Sequence, residues 1–140
     1  MADAIELASS LLTLIVFTFN ASKSLSEAVS SFRNQRKATK DVLADLDSLI
    51  TVLGAIRGQA QHSQEIGRLE PLREPLRCCA TACREMREML DAFITHSKEG
   101  QDNVGDWLKM RYHEKSFDDM KRRLASYKST LTITFNLINM

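Results

Sequence analysis

Apolar residues recur along most of this chain at intervals of three and four positions, the spacing of an α-helix that buries one face. The stretch DVLADLDSLITVLGAIRG, residues 41–58, shows the pattern with Val42, Leu46, Leu49, Leu53 and Ile56. These five residues form a single stripe, so a helix is predicted here. Gly58 is predicted to end it, because glycine commonly follows the last helical turn.

Two further stripes lie in the second half of the chain. One consists of Leu76, Cys79, Cys83, Met86, Leu90 and Phe93, and the other of Phe117, Met120, Leu124, Tyr127, Leu131, Thr134 and Ile138. Residues 131–137 also alternate apolar and polar side chains, which is a strand pattern. Because no second strand pattern exists to pair with it, we predict a helix there as well.

Three segments are predicted to connect these helices. They are the charged residues 33–40, the polar residues 58–75 with Gly67, Pro71 and Pro75, and the loop-like residues 96–107. Trp107 ends the last of these segments and is expected to cover one end of the folded domain.

The first helix is predicted over residues 4–32, which contain no glycine or proline, and it departs from the stripe pattern. At about 100° per residue, its large apolar side chains surround nearly the whole helix: Leu11, Leu12, Leu14, Ile15, Val16, Phe17 and Phe19. Thr13 and Thr18 interrupt this surface on separate sides. A helix at the edge of a bundle needs apolar residues on about one third of its circumference.

Two explanations of this excess remain open. Either the helix is central and surrounded by the other three, or it also enters a lipid bilayer. The uncharged run, residues 7–22, is shorter than the roughly 20 residues of a spanning helix. Including residues 2–5 would extend the segment to a spanning length. It would also place Glu6 in the bilayer, at a cost of at most about 2–3 kcal/mol.

Four amphipathic helices bury their stripes best against one another, so we predict an all-α fold, a four-helix bundle with a hydrophobic N-terminal helix. The 140 residues are expected to form one domain, residues 1–140, excised from a longer protein. A formal net charge of +1 argues against nucleic acid as a partner. Three clustered cysteines and an acidic N-terminal flank favour a reducing, cytoplasmic location over secretion.

No constellation typical of an enzyme is present. His62, His96 and His113 lie in separate segments, so they form neither a triad nor a metal site with Cys79 and Cys83. The GAIRGQ stretch lacks the lysine and hydroxyl residue of a phosphate-binding loop. We therefore predict no enzymatic activity, no metal and no cofactor.

A basic group of four residues follows the first helix: Arg33, Arg36, Lys37 and Lys40. Next to a membrane, each would contribute about 1 kcal/mol of attraction to anionic headgroups. A solvated turn between two helices explains the same residues, and on the sequence alone it is the preferred interpretation.

Three stretches of the chain resemble the fungal HeLo-like N-terminal domain: ADAIELASSLLTLIVFTFNASKSL, ATKDVLADLDSLITVLGAI and SFDDMKRRLASYKSTLTITFNLIN. The likeness extends over essentially the whole chain, but it rests on pattern and not on a catalytic signature. The family precedes many fungal STAND/NOD-like receptors and cell-death proteins with amyloid signalling motifs. It is similar to the HeLo domain of HET-S and to the four-helix bundle of the necroptosis protein MLKL.

The resemblance implies a cell-death-inducing domain that oligomerises, moves from the cytoplasm to the plasma membrane and perturbs the bilayer or forms a pore. It assigns insertion to the seven apolar residues from Leu11 to Phe19, with Glu6 as the acidic residue near the front. The implied partners are anionic lipids, further copies of the chain, and an upstream NOD-like receptor or a downstream signalling module. The alternative is an interaction and oligomerisation domain of such a receptor without membrane activity.

Overall fold

The computed structural model describes residues 2–30, 37–62, 64, 66–99 and 103–140, with residues 2–9, 37–39, 93–99 and 103–117 described by their backbone alone. It consists of α1 (Ala2–Ser30), α2 (Lys37–Ala60), a 3-10 helix (Ile66–Leu72), α3 (Arg73–Glu99) and α4 (Asn103–Ile138). These described ranges contain no strand. The predicted all-α four-helix bundle is confirmed.

The predicted stripes form the core. Each of the five stripe residues of α2 is fully buried, and so are Leu76, Cys79, Cys83, Met86 and Leu90 of α3. In α4, Met120, Leu124 and Leu131 are buried, and residues 131–137 are helical. The side chains of Phe93 and Phe117 lie outside the described part of the structure. Apolar periodicity therefore identified the buried face of each of these three helices.

The helices pack as neighbours around a square. Helix α1 packs against α2 and α3, and α4 packs against the same two helices. Among the described residues, no Cα atom of α1 lies within 8 Å of a Cα atom of α4. The explanation that places α1 at the centre of the bundle, surrounded by three helices, is therefore wrong. Helix α1 lies at a corner, and its outer side faces solvent.

The predicted connections are too long. Helix α2 begins at Lys37, inside the first predicted connection. It continues past Gly58, the predicted end, to Ala60. Helix α3 begins at Arg73, two residues before Pro75. Proline is tolerated in a first helical turn because the N–H groups there have no intrahelical acceptor. The third connection shortens to the interval between Glu99 and Asn103, so Trp107 belongs to α4 and its side chain lies outside the described part.

The middle connection contributes to the core. Ile66, Leu69 and Leu72 of the 3-10 helix are buried, and the element contacts all four α-helices. Their spacing of three residues matches the period of a 3-10 helix, which aligns them on one side. A segment predicted as a polar loop therefore supplies three apolar side chains to the interior.

We expect Gly54→Ala to raise the free energy of unfolding by about 0.5–1 kcal/mol, because alanine restricts the unfolded chain and favours the helix. A Cβ at this position would meet Phe19 Cε2 at 3.7 Å, an ordinary van der Waals contact. Urea denaturation followed by circular dichroism measures the change. A loss of stability would show that α1 and α2 pack too tightly here to admit a methyl group.

Candidate functional site

The apolar segment of α1 is only partly used by the bundle. Leu11 and Ile15 are fully buried, whereas Phe17 is 45% exposed. The remaining four of the predicted insertion residues are half-buried: Leu12, Leu14, Val16 and Phe19. The side chain of Glu6 lies outside the described part of the structure. Five of the seven large apolar residues thus keep some surface outside the core.

The buried stripe of α1 contains two hydroxyl groups. It continues from Leu11 and Ile15 through Thr18 and Ser22, both of which have no exposed surface. Thr18 Oγ1 donates a hydrogen bond to the carbonyl oxygen of Leu14 at 2.7 Å and approaches that of Leu76 at 3.3 Å. The Ser22 hydroxyl and the Cys83 thiol form a hydrogen bond of 3.6 Å. Sequence reasoning missed Ser22, although it continues the spacing of three and four residues.

Polar contacts extend along the whole α1–α3 boundary. Arg87 Nη1 donates to the carbonyl oxygen of Ser24 at 2.8 Å and to its hydroxyl at 2.6 Å. Arg73 Nη1 donates to Ser10 Oγ at 3.3 Å. We call the α1 residues of this boundary the hydroxyl seam: Ser10, Thr18, Ser22 and Ser24. Water can replace such bonds when the two helices separate; a neutral bond contributes about 0.5–1.5 kcal/mol to stability, and one to a charged group about 1.5–3 kcal/mol.

Two phenylalanine rings of α1 lie beside cations. Lys23 Nζ and Arg57 Cζ are each 5.1 Å from the centre of the Phe19 ring. Arg84 Cζ is 6.0 Å from the centre of the Phe17 ring. Such contacts are weakly stabilising at a protein surface. They also place three positive charges beside the apolar segment of α1.

The predicted basic group is only partly described. Lys40 is exposed near the start of α2. Arg33 and Arg36 lie outside the described residues, and Lys37 is described by its backbone alone. Of the cations beside the apolar segment, Lys23 is on α1 itself, Arg57 on α2 and Arg84 on α3. None of these three belongs to the predicted group.

The two cysteines of the α3 stripe, Cys79 and Cys83, are buried in the core as free thiols, and Cys78 is exposed. The hydrogen bond from Cys79 lowers the pKa of the Cys83 thiol; burial acts in the opposite direction, and the Ser22 hydroxyl and the positive charge of Arg123 lower it further. The same thiol–thiol bond, together with burial, raises the pKa of Cys79. Within the described residues, no group of three or more His, Cys, Asp or Glu side chains is arranged to hold a metal ion.

A family model described as "Pigment biosynthesis cluster protein PigL N-terminal" matches residues 2–140, almost the whole chain. This chain belongs to the PigL N-terminal family. No curated protein and no solved structure matches it. The finer resemblance to the HeLo-like domain stays a prediction.

In this PigL N-terminal domain, the described residues include no helix with the length and apolar character needed to cross a membrane. The distinctive element of the domain is α1, which combines a partly exposed apolar segment with a hydroxyl seam. Chemically, this arrangement offers a helix held on its buried side by apolar contacts and by hydrogen bonds that water can replace.

Proposed function

We propose that this domain perturbs membranes when several copies are brought together, and that α1 is the element that enters the lipid. The observation that carries the proposal is the incomplete burial of the α1 apolar segment, with Phe17 45% exposed. A large aromatic ring at the surface, beside Arg84, suits the boundary between acyl chains and anionic headgroups. The uncharged run, residues 7–22, is short for a spanning helix, so the proposed insertion is shallow.

Energetics support release of α1 at a membrane and oppose release in water. Leu11, Ile15, Leu25 and Val29 are fully buried. Exposing a side chain of this kind to water costs about 1.5–3 kcal/mol, so exposing all four would cost about 6–12 kcal/mol. That range is comparable to the whole stability of a small domain, about 5–15 kcal/mol. Lipid returns these side chains to an apolar environment, and water or lipid headgroups can replace the hydrogen bonds of the hydroxyl seam.

The sequence resemblance to the HeLo-like domain supports the same function. By that resemblance, the domain is quiet in the cytoplasm and acts at the plasma membrane in fungal programmed cell death. Clustering would come from an associated receptor or signalling module. Clustering also raises the local concentration of α1 segments, so several weak insertions act together.

Dye release from anionic liposomes tests the proposal, using the domain fused to a self-assembling scaffold. Phe17→Gln is expected to lower leakage about tenfold or more, because about 1.5–3 kcal/mol of transfer free energy is lost. Ile133→Gln is the matched control, since Ile133 is 60% exposed on α4 and is not part of α1. Circular dichroism confirms that both variants fold. Equal leakage from the wild type and Phe17→Gln would contradict membrane insertion by α1.

A second candidate function is protein–protein association without membrane activity. It is favoured by two exposed apolar residues four positions apart near the end of α4, Ile133 and Leu137, at 60% and 62% exposure. Sedimentation of the domain without the scaffold tests it. If Ile133→Gln abolishes self-association and neither variant changes leakage, association is the better description of the function.

A further inference from the structure

Two arginines at the α1–α3 boundary are each held by a carboxylate and hydrogen-bonded to a serine of α1. Arg73, the first residue of α3, donates from Nε and Nη2 to the two carboxylate oxygens of Glu70 in the 3-10 helix. Its third nitrogen, Nη1, donates to Ser10 Oγ at 3.3 Å. This guanidinium therefore connects α1 to both the 3-10 helix and α3, directly before the apolar segment of α1.

The same arrangement recurs beyond the other end of that segment. Arg87 Nε donates to both carboxylate oxygens of Asp91, at 3.1 and 3.2 Å. Arg87 Nη1 donates to the hydroxyl of Ser24 at 2.6 Å and to its carbonyl oxygen at 2.8 Å. We call Glu70–Arg73–Ser10 and Asp91–Arg87–Ser24 the two arginine clamps. Their serines are 14 positions apart, about 21 Å along a helix, so the clamps lie on either side of the apolar segment.

The geometry makes these contacts stronger than ordinary surface pairs. A guanidinium carries its donors in one rigid plane, so a carboxylate bound at one edge also fixes the direction of the other donors. The side chains of Arg73 and Arg87 are 21% and 37% exposed, so solvent reaches them only in part. The hydrogen bond from Arg73 lowers the pKa of the Glu70 carboxyl, while burial acts in the opposite direction. Hydrogen bonds from a charged donor are also stronger than neutral ones.

The clamps restrain α1 on the α3 side. On the α2 side, the contact between a cation and α1 is of a different kind, since Arg57 Cζ lies 5.1 Å from the centre of the Phe19 ring. At a protein surface such a contact is weaker than a hydrogen bond from a charged donor. Separation of α1 from α3 therefore requires both clamp arginines to lose their serines.

We propose that the two arginine clamps are the autoinhibitory contact that keeps the apolar segment of α1 in the bundle. The proposal rests on the membrane function proposed above and identifies what restrains α1 before insertion. Arg73 and Arg87 bind α1, and Glu70 and Asp91 are positioning residues that orient the two guanidinium groups. Once both clamps open, α1 is held mainly by apolar contacts, which lipid can replace.

Amide hydrogen exchange without lipid tests the clamps, using the double variant Arg73→Met/Arg87→Met. Methionine retains an unbranched side chain and removes the donors. We expect exchange over residues 11–25 to accelerate at least about tenfold, because two charge-assisted contacts are lost. Exchange over residues 119–131 of α4 should change less than about threefold. A second double variant, Ser10→Ala/Ser24→Ala, keeps every charge and should accelerate exchange in α1 by about threefold or more.

Arg77→Met is the matched control for the arginine variant. Arg77 lies on the same helix and forms the same kind of pair, with Glu74 at 3.0 Å, but it is 64% exposed and not part of a clamp. Its loss should leave exchange in α1 unchanged. Equal acceleration in α1 and α4 would overturn the proposal, because the clamps would then stabilise the whole fold. Unchanged exchange over residues 11–25 in both double variants would do so equally.

Dye release from anionic liposomes then connects the clamps to function. The clustered Ser10→Ala/Ser24→Ala variant is expected to release dye about threefold faster than the wild type. Ser126→Ala/Ser129→Ala, which removes two exposed hydroxyls of α4, should not change the rate. Faster exchange in α1 without faster release would contradict an autoinhibitory role. The absence of leakage from every variant, the wild type included, would instead contradict the membrane function, so the two failures are distinguishable.

Discussion

Oxidation of a Ser22→Cys variant is expected to abolish liposome leakage by the clustered domain, and reduction of the same sample is expected to restore it. Ser22 Oγ lies 3.6 Å from Cys83 Sγ. The sulfurs of a disulfide are about 2.05 Å apart, so a small approach of the two side chains permits the bond. The bond would fasten α1 to α3 at the middle of the hydroxyl seam. A fastened helix cannot enter lipid.

The background for this variant is Cys78→Ser with Cys79→Ala, so that two sulfurs alone can pair within one molecule. Oxidised glutathione forms the bond, mass spectrometry verifies it, and dithiothreitol breaks it. The same background with Ser22 retained should leak equally before and after reduction. If the cross-linked protein leaks as strongly as the reduced one, release of α1 is not required and the proposed mechanism is wrong.

Leu69→Ala is expected to lower the free energy of unfolding by about 2–5 kcal/mol, the usual cost of truncating a fully buried leucine. Leu69 has no exposed surface and lies in the 3-10 helix that contacts all four α-helices. Urea denaturation followed by circular dichroism measures the loss.

Gly67→Ala is the matched control, because a Cβ there has no neighbour within 4 Å. We expect a change of at most about 0.5 kcal/mol from it, as for most surface substitutions. If Leu69→Ala were equally mild, the segment would be a solvated connection, as its composition suggests. A large difference between the two variants would show that the segment stabilises the bundle.

The 3-10 helix was not predicted from the sequence, and the reason is physical. Residues 58–75 are rich in glycine, proline and charge, which are features of connections. A 3-10 helix is short and needs few apolar residues, so its signal is weak beside that of a long helix. The one available sign is the spacing of three residues between Ile66, Leu69 and Leu72. Whether such a short stripe is buried depends on the space left between the four helices.

In the candidate site, too, some features could be predicted from the sequence and others could not. The excess of apolar residues in α1 was evident from the chain, and so were the two cysteines on the α3 stripe. The hydroxyl seam was not, because a serine or threonine on a helix gives no sign of what it faces. The contacts of Ser22 with Cys83 and of Arg87 with Ser24 span more than 60 positions of the chain.

Apolar periodicity was sufficient to predict a bundle of four helices and to identify which face of α2, α3 and α4 is buried. It did so because a single apolar stripe leaves a helix only one side to bury. In α1, apolar residues surround nearly the whole helix, so their periodicity does not predict which face is buried. Only the packing of α2 and α3 decided that Thr18 and Ser22 face inward while Phe17 remains 45% exposed. Burial there follows from the shape and hydrogen-bonding groups of the neighbours, which no local pattern in α1 encodes.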